Sequence, residues 1–181
     1  MAVASPSSSD YFAVLGLPPG FAIDAAAVER AFHERSRTDH PDRFASAPAS
    51  ERAAAAQKFA VIRDAYQTLR LPARRAEYLL AKDGVVIGEH ERLDLAFLDE
   101  VLELREELAG ALAAGDHAKV ATLEAVMKRR HEGLVAQLAP AFDAIARGGD
   151  EATAARATAK RALVELRYVQ RYLEECDRAD A

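Results

Sequence analysis

Five histidines and one cysteine are the residues of this 181-residue chain best suited to act as bases, nucleophiles or metal ligands, and their spacing argues against all three roles. His33, His40, His90, His117 and His131 never stand at metal-ligand spacing from a second histidine or cysteine, and His131-Glu132-Gly133 lacks the second histidine of a zinc-protease helix. Cys176 alone excludes an internal disulfide framework and any multi-cysteine zinc or cluster site within one chain. Three residues past Leu173 and near the end of the chain, it reads as an incidental thiol in a frayed terminus. The glycines form no phosphate loop. The expectation is therefore no catalytic site, no metal, no cofactor and no enzyme. One group remains: His40-Pro41-Asp42, which sets an imidazole and a carboxylate on either side of a residue with no N–H to donate. Three residues alone are a weak signal, and in isolation they read as a helix terminator beside a histidine.

The flanking elements change that reading. Asp24 is a good N-cap for a segment in which Val28 and Phe32 fall at i and i+4. Pro41 pushes His40 out of the helical region, so this helix should stop there. Downstream, Ser50 is expected to cap a helix whose Phe59, Ile62, Tyr66 and Leu69 share one face. The chain from Pro41 to about Ala49 must then turn back, which makes an antiparallel hairpin with the tripeptide exposed at its tip as a contact loop.

No stretch alternates apolar and polar residues long enough for a sheet, and half the residues are hydrophobic, so an all-α protein with packed cores is expected. Its organisation is read as a tail over 1–9, a first domain over 10–82, a linker over 83–92 and a three-helix bundle over 93–178. Asp83-Gly84 and Gly88 interrupt the helical pattern around Val85-Val86-Ile87 at the boundary. The three bundle helices should run from about Leu93 to Ala113, from near Asp116, and from near Asp150. Val120, Leu123, Met127, Leu134 and Leu138 line the second; Ala155, Ala159, Ala162, Leu166, Val169 and Leu173 line the third. Pro140 should break the second helix and leave Ala141 to Arg147 as a short extra turn or helix.

Residues 1–82 hold eleven Lys or Arg against nine Asp or Glu, a balance of +2, while residues 83–181 hold thirteen against twenty, or −7, which together give the net −5. No concentrated basic face appears, so nucleic acid is not an expected partner. Met1 to Ser9 has neither the basic start nor the apolar stretch of a signal peptide, and no apolar run reaches spanning length, so a cytoplasmic protein with no membrane partner is expected.

The first bundle helix carries two apolar stripes. Phe97, Val101, Leu104 and Leu108 make one, and Leu95, Leu98 and Leu102 make another about 100° around the helix. Asp99, Glu103 and Glu106 border the second. Periodicity alone favours a helix wedged between two others, with both stripes in the core.

Several motifs together resemble a known family. Asp10-Tyr11-Phe12 through Leu15-Gly16-Leu17-Pro18, then Val28 and Phe32, then His40-Pro41-Asp42-Arg43-Phe44, resemble a J domain, the module that stimulates ATP hydrolysis by DnaK-type chaperones. Ala65-Tyr66-Gln67-Thr68-Leu69-Arg70, Pro72, Arg75-Ala76-Glu77-Tyr78-Leu79-Leu80, Phe97-Leu98 and Leu102-Glu103-Leu104-Arg105-Glu106-Glu107-Leu108 extend the likeness to HscB, the J-protein of iron-sulfur cluster biogenesis, over about Asp10 to Glu175.

The resemblance implies a non-enzymatic co-chaperone that stimulates HscA and delivers the scaffold protein IscU. It implies chaperone contacts by His40, Pro41, Asp42, Arg30, Arg37 and Arg43, and client contacts by Leu98, Leu102, Glu103, Glu106 and Tyr168; Asp99, counted with this client surface, replaces a residue often apolar in the family, which makes the expected patch smaller or more polar. It thereby reverses the wedged-helix reading of the second stripe. A J-protein with another client, or a helical adaptor without chaperone activity, stays open at this point. Two departures stand out. Asp39 takes the place of a large aromatic or aliphatic residue before the histidine, and Arg35 a position often held by leucine. At i and i+4 these two are expected to pair, worth about 0.3 to 0.5 kcal/mol, in a helix end less well packed than in relatives. Between Val28 and Arg43 four arginines meet four carboxylates, so the helix lacks the basic surplus usual for docking on an acidic chaperone face.

Overall fold

The computed structural model describes residues 10–88 and 91–179; the expected tail over 1–9 and His90 lie outside the described residues. Seven α-helices and one 3₁₀ turn are found among them, and no strand. The chain divides after Leu79 into two compact units.

In the first unit a short helix α1 (Tyr11–Leu15) precedes the hairpin of α2 (Ala25–Asp39) and α3 (Ala49–Leu69), whose tip is a 3₁₀ turn over Pro41–Phe44. Asp24 caps α2 by accepting the Ala26 N–H at 3.1 Å, as its side chain predicts. Ser50 does not cap α3. The helix begins at Ala49 with Pro48 at the N-cap in an extended conformation, which places Ser50 inside the first turn. Phe12, Leu15, Val28, Ile62, Ala65 and Leu69 form the core, with Phe32, Phe59 and Tyr66 packed on it.

Arg75, at the start of α4 (Pro72–Lys82), closes this unit. It is 3% exposed. Its guanidinium donates to the carbonyls of Leu69 at 2.7 Å, Phe21 at 2.6 Å and Ile23 at 2.9 Å, so a buried charge is offset by three carbonyl acceptors. Tyr78 links the same helix to α1 by stacking on Tyr11 at 4.7 Å and accepting its backbone N–H at 3.0 Å.

The second unit holds α5 (Leu95–Ala114), α6 (His117–Arg147) and α7 (Asp150–Ala179). Gly115, at φ 67°, takes the left-handed conformation that ends α5, and Asp116 then caps α6 through the Lys119 N–H at 3.0 Å. The apolar faces expected for α6 and α7 are buried apart from Leu173, which is half-buried. Pro140 does not break α6. It sits on the exposed side, as does Ala136, whose carbonyl loses its helical donor toward water. Just beyond it Ala141 and Phe142 are buried. Burial of that last turn outweighs a local cost of about 3 kcal/mol.

Cys176 also departs from expectation. It is buried, because α7 runs on to Ala179 and carries Leu166, Val169, Tyr172 and Cys176 at successive helical repeats into the core. The Tyr172 hydroxyl donates to the Leu104 carbonyl at 3.1 Å, and burial pushes its pKa up to about 12, so the phenol remains a donor throughout the neutral range.

The chain unwinds after Lys82, and the described residues of the segment expected as a linker are tied to α7. Asp83 meets Arg156 at 3.2 Å, Glu91 meets Lys160 at 2.9 Å, and the Gly88 carbonyl accepts from Arg167 at 2.8 Å. Ile87 is buried beside these ties.

Candidate functional site

The tripeptide stands where α2 gives way to the 3₁₀ turn. His40 leaves the helix at φ −65°, ψ 134°, the extended geometry that a following proline imposes. Pro41 opens the turn, where its missing N–H costs nothing. The His40 Nδ1 accepts the Asp42 backbone N–H at 3.3 Å, and the ring meets Phe59 edge-on at 4.9 Å between centroids. Asp42 Oδ2 approaches the same nitrogen at 3.4 Å. A nitrogen that accepts a backbone N–H has no proton to give a carboxylate, so the imidazole serves as a cap and leaves the carboxylate for another donor. The Asp42 side chain is 90% exposed. A carboxylate held at a tip in this way suits a bidentate, charge-assisted bond from a guanidinium.

The arginines named with the tripeptide are already engaged within the unit. Arg37 lies 2.7 Å from Glu34, Arg30 lies 3.9 Å from Asp24, and Arg43 donates to the Arg37 carbonyl at 3.3 Å. All three remain exposed and able to exchange partners. The expected Arg35–Asp39 pair is not the contact that forms. Lys58 of α3 reaches Asp39 at 2.6 Å instead, and this bond holds the Asp39 carboxyl below the usual carboxylate range, with Arg35 a minor influence. Sequence reasoning missed Lys58. The one available signal was the hairpin itself, which sets Asp39 and Lys58 about equally far from Pro48.

The second candidate surface lies on α5. Leu95 is 76% and Leu102 50% exposed, Leu98 is half-buried, and Asp99, Glu103 and Glu106 stand in solvent. The wedged-helix reading is therefore wrong for this stripe: Phe97, Val101 and Leu108 are buried on the other side, with Leu104 half-buried. Tyr168 of α7 comes to α5 through Phe97, edge-on at 6.5 Å, with the Arg171 guanidinium over its ring at 5.8 Å. Behind Phe97, Arg130 of α6 lies over the ring at 4.8 Å and binds both Glu100 oxygens at 2.6 and 2.7 Å. Arg130 was not singled out from the sequence, because nothing local links residues 30 positions apart. Glu165, half-buried near this group, has its carboxyl pKa raised by desolvation against the pull of Arg130 and Arg161.

Among the described residues no three His, Cys, Asp or Glu side chains converge as a bound cation needs, and no helix is long and apolar enough to cross a membrane. The arrangement offers two contact surfaces, one a charged tip and the other an apolar helix face rimmed by acids.

Each surface falls within the reach of a known family. A family model described as the DnaJ domain matches residues 10–78, and one described as the HSCB C-terminal oligomerisation domain matches residues 93–177. The structure of chaperone HscB from Vibrio cholerae is similar at 32% identity and a TM-score of 0.78, over 95% of this chain and 98% of that one. The structure of human co-chaperone protein HscB is similar at 26% identity and a TM-score of 0.84, over 98% of this chain and 85% of that one.

Proposed function

This chain belongs to the HscB family, and from that premise we propose that it is a co-chaperone of iron-sulfur cluster assembly that stimulates the ATPase of a DnaK-type chaperone, HscA, and delivers the scaffold protein IscU to it. The observation that carries the first half is the geometry of the tip: His40 and Pro41 fix the turn, and the Asp42 carboxylate projects from it into solvent. In this reading a chaperone arginine binds Asp42, while Arg30, Arg37 and Arg43 release their local partners and meet carboxylates of the chaperone. Because the helix has no net positive charge over Val28–Arg43, steering over distance is weak and the short-range Asp42 contact carries more of the recognition.

The second half is supported by the exposed face of α5. Leu98 and Leu102 form the apolar centre, Asp99, Glu103 and Glu106 the rim, and Tyr168 an aromatic neighbour of the same helix. IscU is the proposed occupant. The iron-sulfur cluster is cargo on the scaffold and needs no ligand from this chain.

The test is steady-state ATP hydrolysis by the cognate chaperone. Asp42→Asn should lower stimulation at least about tenfold, the scale of losing one well-placed charged contact, with an unchanged melting temperature because the side chain is in solvent. Full stimulation by this variant would refute the chaperone assignment.

A further inference from the structure

Resting on the co-chaperone reading above, we infer that Asp39 and Lys58 are positioning residues for the tip: their ion pair, with Phe59 beside it, clamps the last turn of α2 and His40 to one turn of α3 and so fixes the direction in which Asp42 is presented. Lys58 and Phe59 are consecutive on α3, and they engage consecutive residues of the other arm of the hairpin. Lys58 Nζ lies 2.6 Å from Asp39 Oδ1, and Phe59 packs edge-on against the His40 ring. The Thr38 hydroxyl lies 3.2 Å from the other oxygen, Oδ2, but its one proton is shared with the Arg35 carbonyl at 3.1 Å and the Glu34 carbonyl at 3.4 Å, so Lys58 is the firm partner of this carboxylate.

The burial of this pair is uneven, and that decides its role. The Asp39 side chain is only 14% exposed, whereas most of the Lys58 side chain is in solvent. A carboxylate withdrawn this far from water without its cation would be costly, so the pair is constrained to stay together. An ordinary surface ion pair carries no such constraint. Arg35, Asp39 and Lys58 also border a groove of about 400 Å³ floored by Ala13, Val14, Val61 and Ile62. The space beside the end of α2 is thus spanned by a charged bridge instead of being filled by an apolar side chain. A filled contact sets a distance; a charge-assisted bond of 2.6 Å also sets an angle. That angle governs His40, and through the His40 Nδ1 bond to the Asp42 N–H it governs the turn.

The experiment titrates a DnaK-type chaperone with the full-length native protein, Lys58→Met, Asp39→Asn and the exchanged pair Asp39→Lys with Lys58→Asp. Each single variant should raise the half-saturating concentration about three- to tenfold, as expected when the competent loop orientation becomes a minor population. Maximal stimulation should be kept, since Asp42 itself is unaltered. The exchanged pair should return the half-saturating concentration toward the native value. A purely structural pair would lower the melting temperature and leave half-saturation of the folded protein untouched. Native half-saturation by Lys58→Met, or an exchanged pair no better than the single variants, overturns the inference. Amide chemical shifts of Asp42 and Arg43 in the free protein give an arm independent of the chaperone. They should move in Lys58→Met and return in the exchanged pair, and unmoved shifts also overturn it. If the native protein stimulates no chaperone, the co-chaperone reading fails, and the amide arm still decides the clamp.

Discussion

The tip of the first unit and the α5 face of the second present the residues proposed as contacts by opposite means. At the tip a few polar residues are fixed by bonds to one another, and the side chain that matters points away from the core. On α5 the exposed face is an uninterrupted helix surface whose residues alternate with the core in sequence: Phe97 is buried next to half-buried Leu98, and Val101 next to exposed Leu102. A loop can separate recognition from stability by leaving the fold, whereas a helix must separate them by angle alone. Replacing the presented side chain is therefore expected to spare the fold at the tip, whereas on α5 a substitution displaced by one position reaches the core.

The sharpest way to break this comparison is to set neighbours on α5 against each other. Phe97→Ala should cost about 3 to 5 kcal/mol, because it removes a buried ring from Arg130 and Tyr168 as well as from the core. Chemical denaturation reads this directly, and a loss below about 1 kcal/mol would mean that α5 is not held where it lies. In the first unit Arg75→Met should cost about 3 kcal/mol, since three carbonyls lose a donor in a nearly dry site. Cys176→Ser should cost about 1 to 2 kcal/mol for burying a hydroxyl in place of a thiol, seen as a lower melting temperature of the bundle. Leu102→Ala should cost less than about 1 kcal/mol in stability while weakening IscU binding in calorimetric titration. A stability loss as large as that of Phe97→Ala would erase the distinction between the faces. Smallest in stability, within about 0.5 kcal/mol, are Glu103→Lys and Glu106→Lys, whose effect should appear in the rate of IscU association and its salt dependence.

Much of the fold was legible because short-range rules set it. Asp24 and Asp116 cap the helices they precede, Gly115 ends α5, and the period of Val120, Leu123, Met127, Leu134 and Leu138 marks the buried side of α6. The break at Pro41, where α2 does end, follows the same logic, yet the rule failed at Pro140, where buried residues follow on the same helix. The tripeptide was legible as a tip because two helices of opposite direction flank it. The clamp at its base was not, since Asp39 and Lys58 are 19 residues apart and local spacing favoured Arg35 as the partner. The second stripe of α5 was visible as apolar, but periodicity gives the width of an apolar face and not what covers it.

The ties between α7 and the segment after Lys82 bear on where the protein can be cut. Arg156, Lys160 and Arg167 lie within about 40° of one another on the helix, so they form one row of cations facing Asp83, the Gly88 carbonyl and Glu91. A bundle fragment begun at residue 93 removes Asp83, the Gly88 carbonyl and Glu91 from that row and opens the place where Ile87 is buried. One begun at residue 80 keeps both. Asp83 to Gly88, which look in sequence like part of a spacer, thus lie as an edge of the bundle, and the shortest autonomous bundle fragment should start before them.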